Sequence, residues 1–186
     1  MVAWALMAPA ERQLGDGIRL VYLHVSATWA GLMGIYGAGL LGVAALAVPS
    51  RIPDGWARAL GGAGLVIFSV GFVVSLASAH VSWGGILWVE PRLLASAGII
   101  ALGSILSWTT QGVDAPRVTG MAWLGFAVVT SVSLQAAGLF FHPDEPIASS
   151  TSDAIRWTFF GLFGLATVAL FLLVSLLRPE PGESPG

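Results

Sequence analysis

The chain has no cysteine and no lysine, and only 10% of its 186 residues are charged. Without cysteine, structural disulfides, thiolate metal sites, thiol redox chemistry and covalent cofactor attachment through a C-x-x-C-H run are excluded within this chain. Cysteine usage therefore says nothing about the redox compartment. All eight basic residues are arginine and the formal net charge is −2, so there is neither a basic surface for nucleic acid nor a polybasic patch for lipid headgroups. Soluble domains carry about a quarter charged residues. This chain is 56% hydrophobic with a mean hydropathy of +0.84, a composition that predicts an integral membrane protein.

Crossing about 30 Å of hydrocarbon takes about 20 mainly apolar residues in a helix. Five segments qualify, near Leu20–Val48, Ala57–Ala79, Leu93–Trp108, Gly120–Phe141 and Ile155–Leu177. The expected fold is an all-α integral membrane protein, a bundle of about five transmembrane helices with an external Trp-containing hairpin. The connections are Pro49–Trp56, the hairpin "SWGGILWVEPRL" at Ser82–Leu93, Thr109–Thr119 and His142–Asp153, each holding the proline, glycine or aspartate that turns favour. Residues 1–18 form a weakly amphipathic interfacial segment, too short to span and without the basic start of a secretory signal. Residues 19–177 make up the transmembrane domain. The tail 178–186, "RPEPGESPG", has a disordered composition.

An odd number of spans puts the termini on opposite sides and sorts the connections into two faces. Arg12, Arg19, Arg92 and Arg156 belong to the first face, and Arg51, Arg58, Arg117 and Arg178 to the second, so the positive-inside rule does not choose between them. The first face also carries Glu11, Asp16, Glu90, Asp144, Glu145 and Asp153. That asymmetry favours an external first face, with the N-terminus outside and the C-terminus cytoplasmic.

The three histidines, His24, His80 and His142, all fall at span ends on this face. Taken singly, each reads as an interfacial residue satisfied by water or a carbonyl. Taken together, they read either that way or as ligands, because two neutral imidazoles from different helices can hold a haem iron from opposite sides. A small-metal site is the weaker alternative: zinc and copper want three or four ligands, and only Glu145 stands near one of these histidines. Trp83 and Trp88 offer flat faces for a porphyrin, or form part of an aromatic belt. Arg92 offers a fork of donors for a carboxylate, and Arg19, five residues before His24, reaches the same edge or snorkels to the headgroups. Glu90 pairs with Arg92 or faces water. Trp4, Trp29, Trp56, Trp108, Trp123 and Trp157 are assigned to belt or packing. Gly31, Gly34, Gly37, Gly39 and Gly42 predict close helix approach, while Ser75, Ser78, Ser131, Ser133 and Gln135 can bond between helices.

Three stretches resemble the CcmC group of the cytochrome c assembly family, whose members handle haem. "RLVYLHVSATWAGLMGIY" is similar to its R-x-x-Y-L-H-V-P helix, "WGGILWVEPRL" to its W-G-x-W-W-x-W-D-x-R-L segment, and "FFHPDEPIASSTSDAIRWTFFGLFG" to the place of its second haem histidine. Ile86, Leu87 and Val89 stand where that segment usually has tryptophans, Glu90 stands for its aspartate, and Ser26 for the proline. The resemblance, covering Arg19 to Leu177, implies His24 and His142 as axial ligands, with Trp83, Gly84 and Arg92 at motif positions and Trp88 one position off. It further implies haem b bound transiently at the external face of the inner membrane. Handover would then run, with ABC-transporter subunits, to a haem chaperone of cytochrome c maturation, a carrier's role and not an enzyme's. Family members usually have six spans, and this chain lacks the first, which agrees with an external N-terminus. The alternatives are the membrane half of a haem-attaching cytochrome c synthase and a non-haem structural membrane subunit. A cytochrome b would need a mid-span histidine, and none is present.

Overall fold

The computed structural model describes residues 1–11, 14–48, 51–138, 147 and 150–178, excepting the side chains at positions 51 and 52. A short helix α1 (Val2–Leu6) precedes five long ones: α2 (Ile18–Ala47), α3 (Arg51–Trp83), α4 (Pro91–Thr110), α5 (Pro116–Ala136) and α6 (Asp153–Leu177). Each of the five is long and apolar enough to cross a bilayer, and among the described residues there is no strand. Spans of 20 to 33 residues suit hydrocarbon because every interior backbone N–H and C=O is bonded within its own helix.

The helix ends follow local chemistry that hydropathy does not register. α4 and α5 both open on a proline, whose fixed φ suits the first turn and whose missing N–H would have had no partner there. Glu90, in extended conformation, accepts a hydrogen bond from the Leu93 amide at 2.7 Å and so caps α4. The stretch Pro49–Trp56, expected as a connection, is helical from Arg51 onward. Pro53 falls in the first turn, where it is tolerated, and Asp54 sets its carboxylate at the positive end of the helix dipole. At its other end α3 runs beyond His80 to Trp83 and stops at Gly84, which has φ +75°. Trp83 is thus the last residue of a helix, and the turn itself is Gly84–Glu90. α5 ends at Ala136, short of Phe141, with Ala137 extended. Apolar composition continues there, but composition does not mark where a backbone leaves the helix.

α2 is the hub, packing on α3, α5 and α6. Its two glycine groups point in different directions. A Cβ on Gly34 would stand 2.6 Å from Cα of Gly64 in α3, while one on Gly42 would collide with the Gly120 carbonyl in α5. Trp123 of α5 is fully buried over the flat surface left by Gly61, beside Phe126 in an edge contact of 6.0 Å, and with Ile35, Leu65 and Phe68 it centres the core. Among the described elements, α4 packs on α3 and α5. The N-terminal segment does more than lie at an interface. Ala5 and Ala8 are buried against Ile18, Tyr22, Ile155 and Phe159, and the Trp4 ring covers Gly161 of α6.

Candidate functional site

Helix directions bring the start of α2, the end of α3 and the start of α6 to one end of the bundle. A Cβ on Gly17 would lie 3.3 Å from Oγ of Ser82, and Ile18 shares a buried cluster with Ile155. The turn Gly84–Glu90 and the start of α4 follow directly from α3, so the first face deduced from the loops is a physical end of the molecule.

His24 stands six residues into α2, about 9 Å along the axis from Ile18, and is half-buried. Its backbone carbonyl lies 3.2 Å from where a Cβ on Gly71 would be, so α3 abuts α2 at the histidine's own level. His80, in the last turn of α3, is exposed. His142 lies outside the described residues. Trp83 is 48% exposed and Trp88 63%, which leaves much of both indole surfaces accessible. Glu90 neither pairs with Arg92 nor faces water: it is buried, and its Oε2 accepts from the Leu93 amide as the α4 cap.

The arginines of this end divide into tethered and untethered. Arg19 donates from Nε to the Ala8 carbonyl at 3.3 Å and pairs with Asp16 at 3.1 Å, so it ties the N-terminal segment to α2. Arg156 pairs with Asp153 at 2.6 Å within the first turn of α6. Arg92, half-buried in the first turn of α4, has no hydrogen bond or ion pair among the described residues. It borders an open pocket of about 380 Å³ together with Tyr36, Ser131, Leu134 and Gln135. Two expected interhelical polar contacts are local instead. Ser75 Oγ donates to the Phe72 carbonyl at 2.7 Å, and Gln135 Nε2 donates to Ser131 Oγ at 2.9 Å one turn away. Side chains of serine and glutamine on a helix find acceptors one turn back before they find another helix.

A polar cluster of another kind sits at the opposite end. Arg58 pairs with Asp54 at 2.9 Å and donates to the Val113 carbonyl at 2.6 Å, while Thr119 donates to the same Asp54 carboxylate. The signal was available in "PDGWAR", where acid and arginine stand four residues apart, but it has meaning only once that stretch is known to be helical. Trp56 lies on the same helix turn, with the Arg178 guanidinium 4.4 Å above its ring.

No family model matches this chain, and none of the curated proteins matches it. The site is therefore characterised by its own chemistry: among the described residues, the half-buried imidazole of His24, the exposed one of His80, the exposed indoles of Trp83 and Trp88, and the Arg92 guanidinium without a partner. Among the described residues, no three of His, Asp or Glu group together as a small-metal site would need.

Proposed function

We propose that this chain is a haem-handling membrane protein of the kind used in cytochrome c assembly, which holds haem at the first face and passes it to a haem chaperone. The single observation that carries the reading is the meeting of the α2 start with the α3 end, where Gly17 lies beside Ser82, one residue before Trp83, with His24 about 10 Å further along α2. Three donor types that a haem needs belong to the elements that meet at this end, α2, α3 and the start of α4. A neutral imidazole can ligate the iron, an indole offers the ring a flat apolar face, and a guanidinium matches the propionates bidentately. Haem is the cargo in this reading. The exposure of Trp83 and Trp88 suits a carrier, because a ring laid against them stays accessible to an acceptor.

His142 is the proposed second axial ligand and the more labile of the two, since it follows α5 in a proline-flanked stretch whereas His24 is set within a helix. The first face is proposed to be external, with partners drawn from the ABC-transporter subunits and chaperone of the maturation system. Absorption spectra and pyridine haemochrome assays on the purified protein and its His24→Ala and His142→Ala variants test the assignment. A Soret band that falls several-fold in each variant is expected. Unchanged haem content in both, or no haem uptake by the unaltered protein, overturns the reading.

A further inference from the structure

The pocket between α2, α4 and α5 has a chemical bias of its own. Its polar lining consists of Arg92 from α4, Tyr36 from α2, and Ser131 and Gln135 from α5. Each of these holds an uncommitted donor. The Arg92 guanidinium and the Tyr36 hydroxyl have no partner among the described residues. Ser131 accepts from Gln135 at 2.9 Å, which leaves the hydroxyl hydrogen of Ser131 and the second amide hydrogen of Gln135 unused. Among the described residues no carboxylate lines the pocket.

A half-buried cation at the edge of an apolar bundle is costly without a counter-charge. Here its described neighbours present hydrogens instead of negative oxygens. Such a cluster is complementary to an oxyanion, which accepts several charge-assisted hydrogen bonds at once. Leu134 and the Tyr36 ring supply an apolar wall beside those donors, so the complementary molecule is an amphiphile with an anionic head.

We propose that the α2–α4–α5 pocket is a binding site for the carboxylate or phosphate head of an anionic amphiphile, with Arg92 as counter-charge and Tyr36, Ser131 and Gln135 as hydrogen-bond donors. Haem propionates and the phosphate of an anionic lipid share that chemistry. The propionate source rests on the haem-handling reading above, and the lipid source does not.

The full-length protein decides between them in two arms. In the first, haemin and haemin dimethyl ester are titrated separately, since esterification removes the propionate charge without altering the iron. In the second, protein from vesicles of equal phosphatidylcholine and phosphatidylglycerol is analysed by native mass spectrometry for retained lipid. The expected result is a preference of roughly tenfold for the anionic member of one pair, lost in Arg92→Gln, reduced in Gln135→Leu and partly kept in Arg92→Lys. Preference for haemin over its ester identifies propionate, and preference for phosphatidylglycerol identifies lipid phosphate. A lipid preference without any haem binding supports this site while overturning the haem reading. Haem binding that depends on His24 but ignores esterification, with no lipid preference, overturns this site and leaves the haem reading standing. Preferences that survive both Arg92→Gln and Gln135→Leu also overturn it.

Discussion

A Cβ placed on Gly71 would stand 3.2 Å from the carbonyl oxygen of His24 and 2.8 Å from Oγ1 of Thr28, so α3 is pressed against the α2 segment that carries the candidate ligand. The gap that a hydrogen fills is too narrow for a methyl group, and the nearest obstacles include the Thr28 backbone nitrogen at 2.9 Å, which cannot swing away. Gly71→Ala is expected to destabilise the bundle by about 1–3 kcal/mol. Thermal unfolding in detergent checks this, and a haem spectrum altered in Gly71→Ala but not in an exposed control such as Gly98→Ala ties the contact to His24.

The left-handed conformation of Gly84 is expected to matter through the backbone alone, since nothing lies within 4 Å of a Cβ added there. Gly84→Ala should cost about 1–2 kcal/mol from the strained φ, and Gly84→Asn less, because asparagine tolerates that region. Denaturation midpoints for the two variants, compared with Gly85→Ala, measure the difference.

Asp54 serves two donors from different elements, Arg58 and Thr119, and its removal leaves the guanidinium without its carboxylate. Asp54→Ala is expected to cost about 2–4 kcal/mol, below the figure for fully buried pairs because the Arg58 side chain keeps 21% exposure. Thr119→Val, which removes one hydrogen bond to a charged group, should cost about 1.5–3 kcal/mol. In a double-mutant cycle the pair should be clearly less than additive. Strict additivity would mean that the two groups do not share the carboxylate.

Trp4 rests on Gly161 and helps hold the N-terminal segment on α2 and α6. Trp4→Ala should loosen residues 1–17 without unfolding the bundle, seen as faster proteolysis or amide exchange confined to that segment. Exchange rates unchanged there would show that Ala5, Ala8 and the Arg19 bond to the Ala8 carbonyl suffice alone.

The existence of five spans was legible in the sequence because length and hydropathy are local quantities, summed along the chain with no knowledge of neighbours. Close helix approach was legible at Gly31 and Gly34 for a similar reason: a side chain reduced to hydrogen has few uses in a membrane helix other than packing or bending. The sharing of one face by His24, His80 and the Trp83 turn followed from counting spans.

Other features were decided only by the tertiary structure. Sequence identified Arg92, but that it has no partner among the described residues, while the neighbouring Glu90 caps α4 at the Leu93 amide, is a matter of tertiary structure. Tyr36 is far along the chain from Ser131 and Gln135 and meets them only because α2 and α5 run antiparallel at glycine distance. The packing of α1 on α6 and the links from the Asp54–Arg58 pair to Val113 and Thr119 have the same origin, contacts between residues more than 50 positions apart, which no local periodicity encodes. Composition and spacing determined which segments are long and apolar enough to cross a bilayer and which residue types gather at their ends. Packing determined which of those residues keep free donors, and with them the capacity to bind.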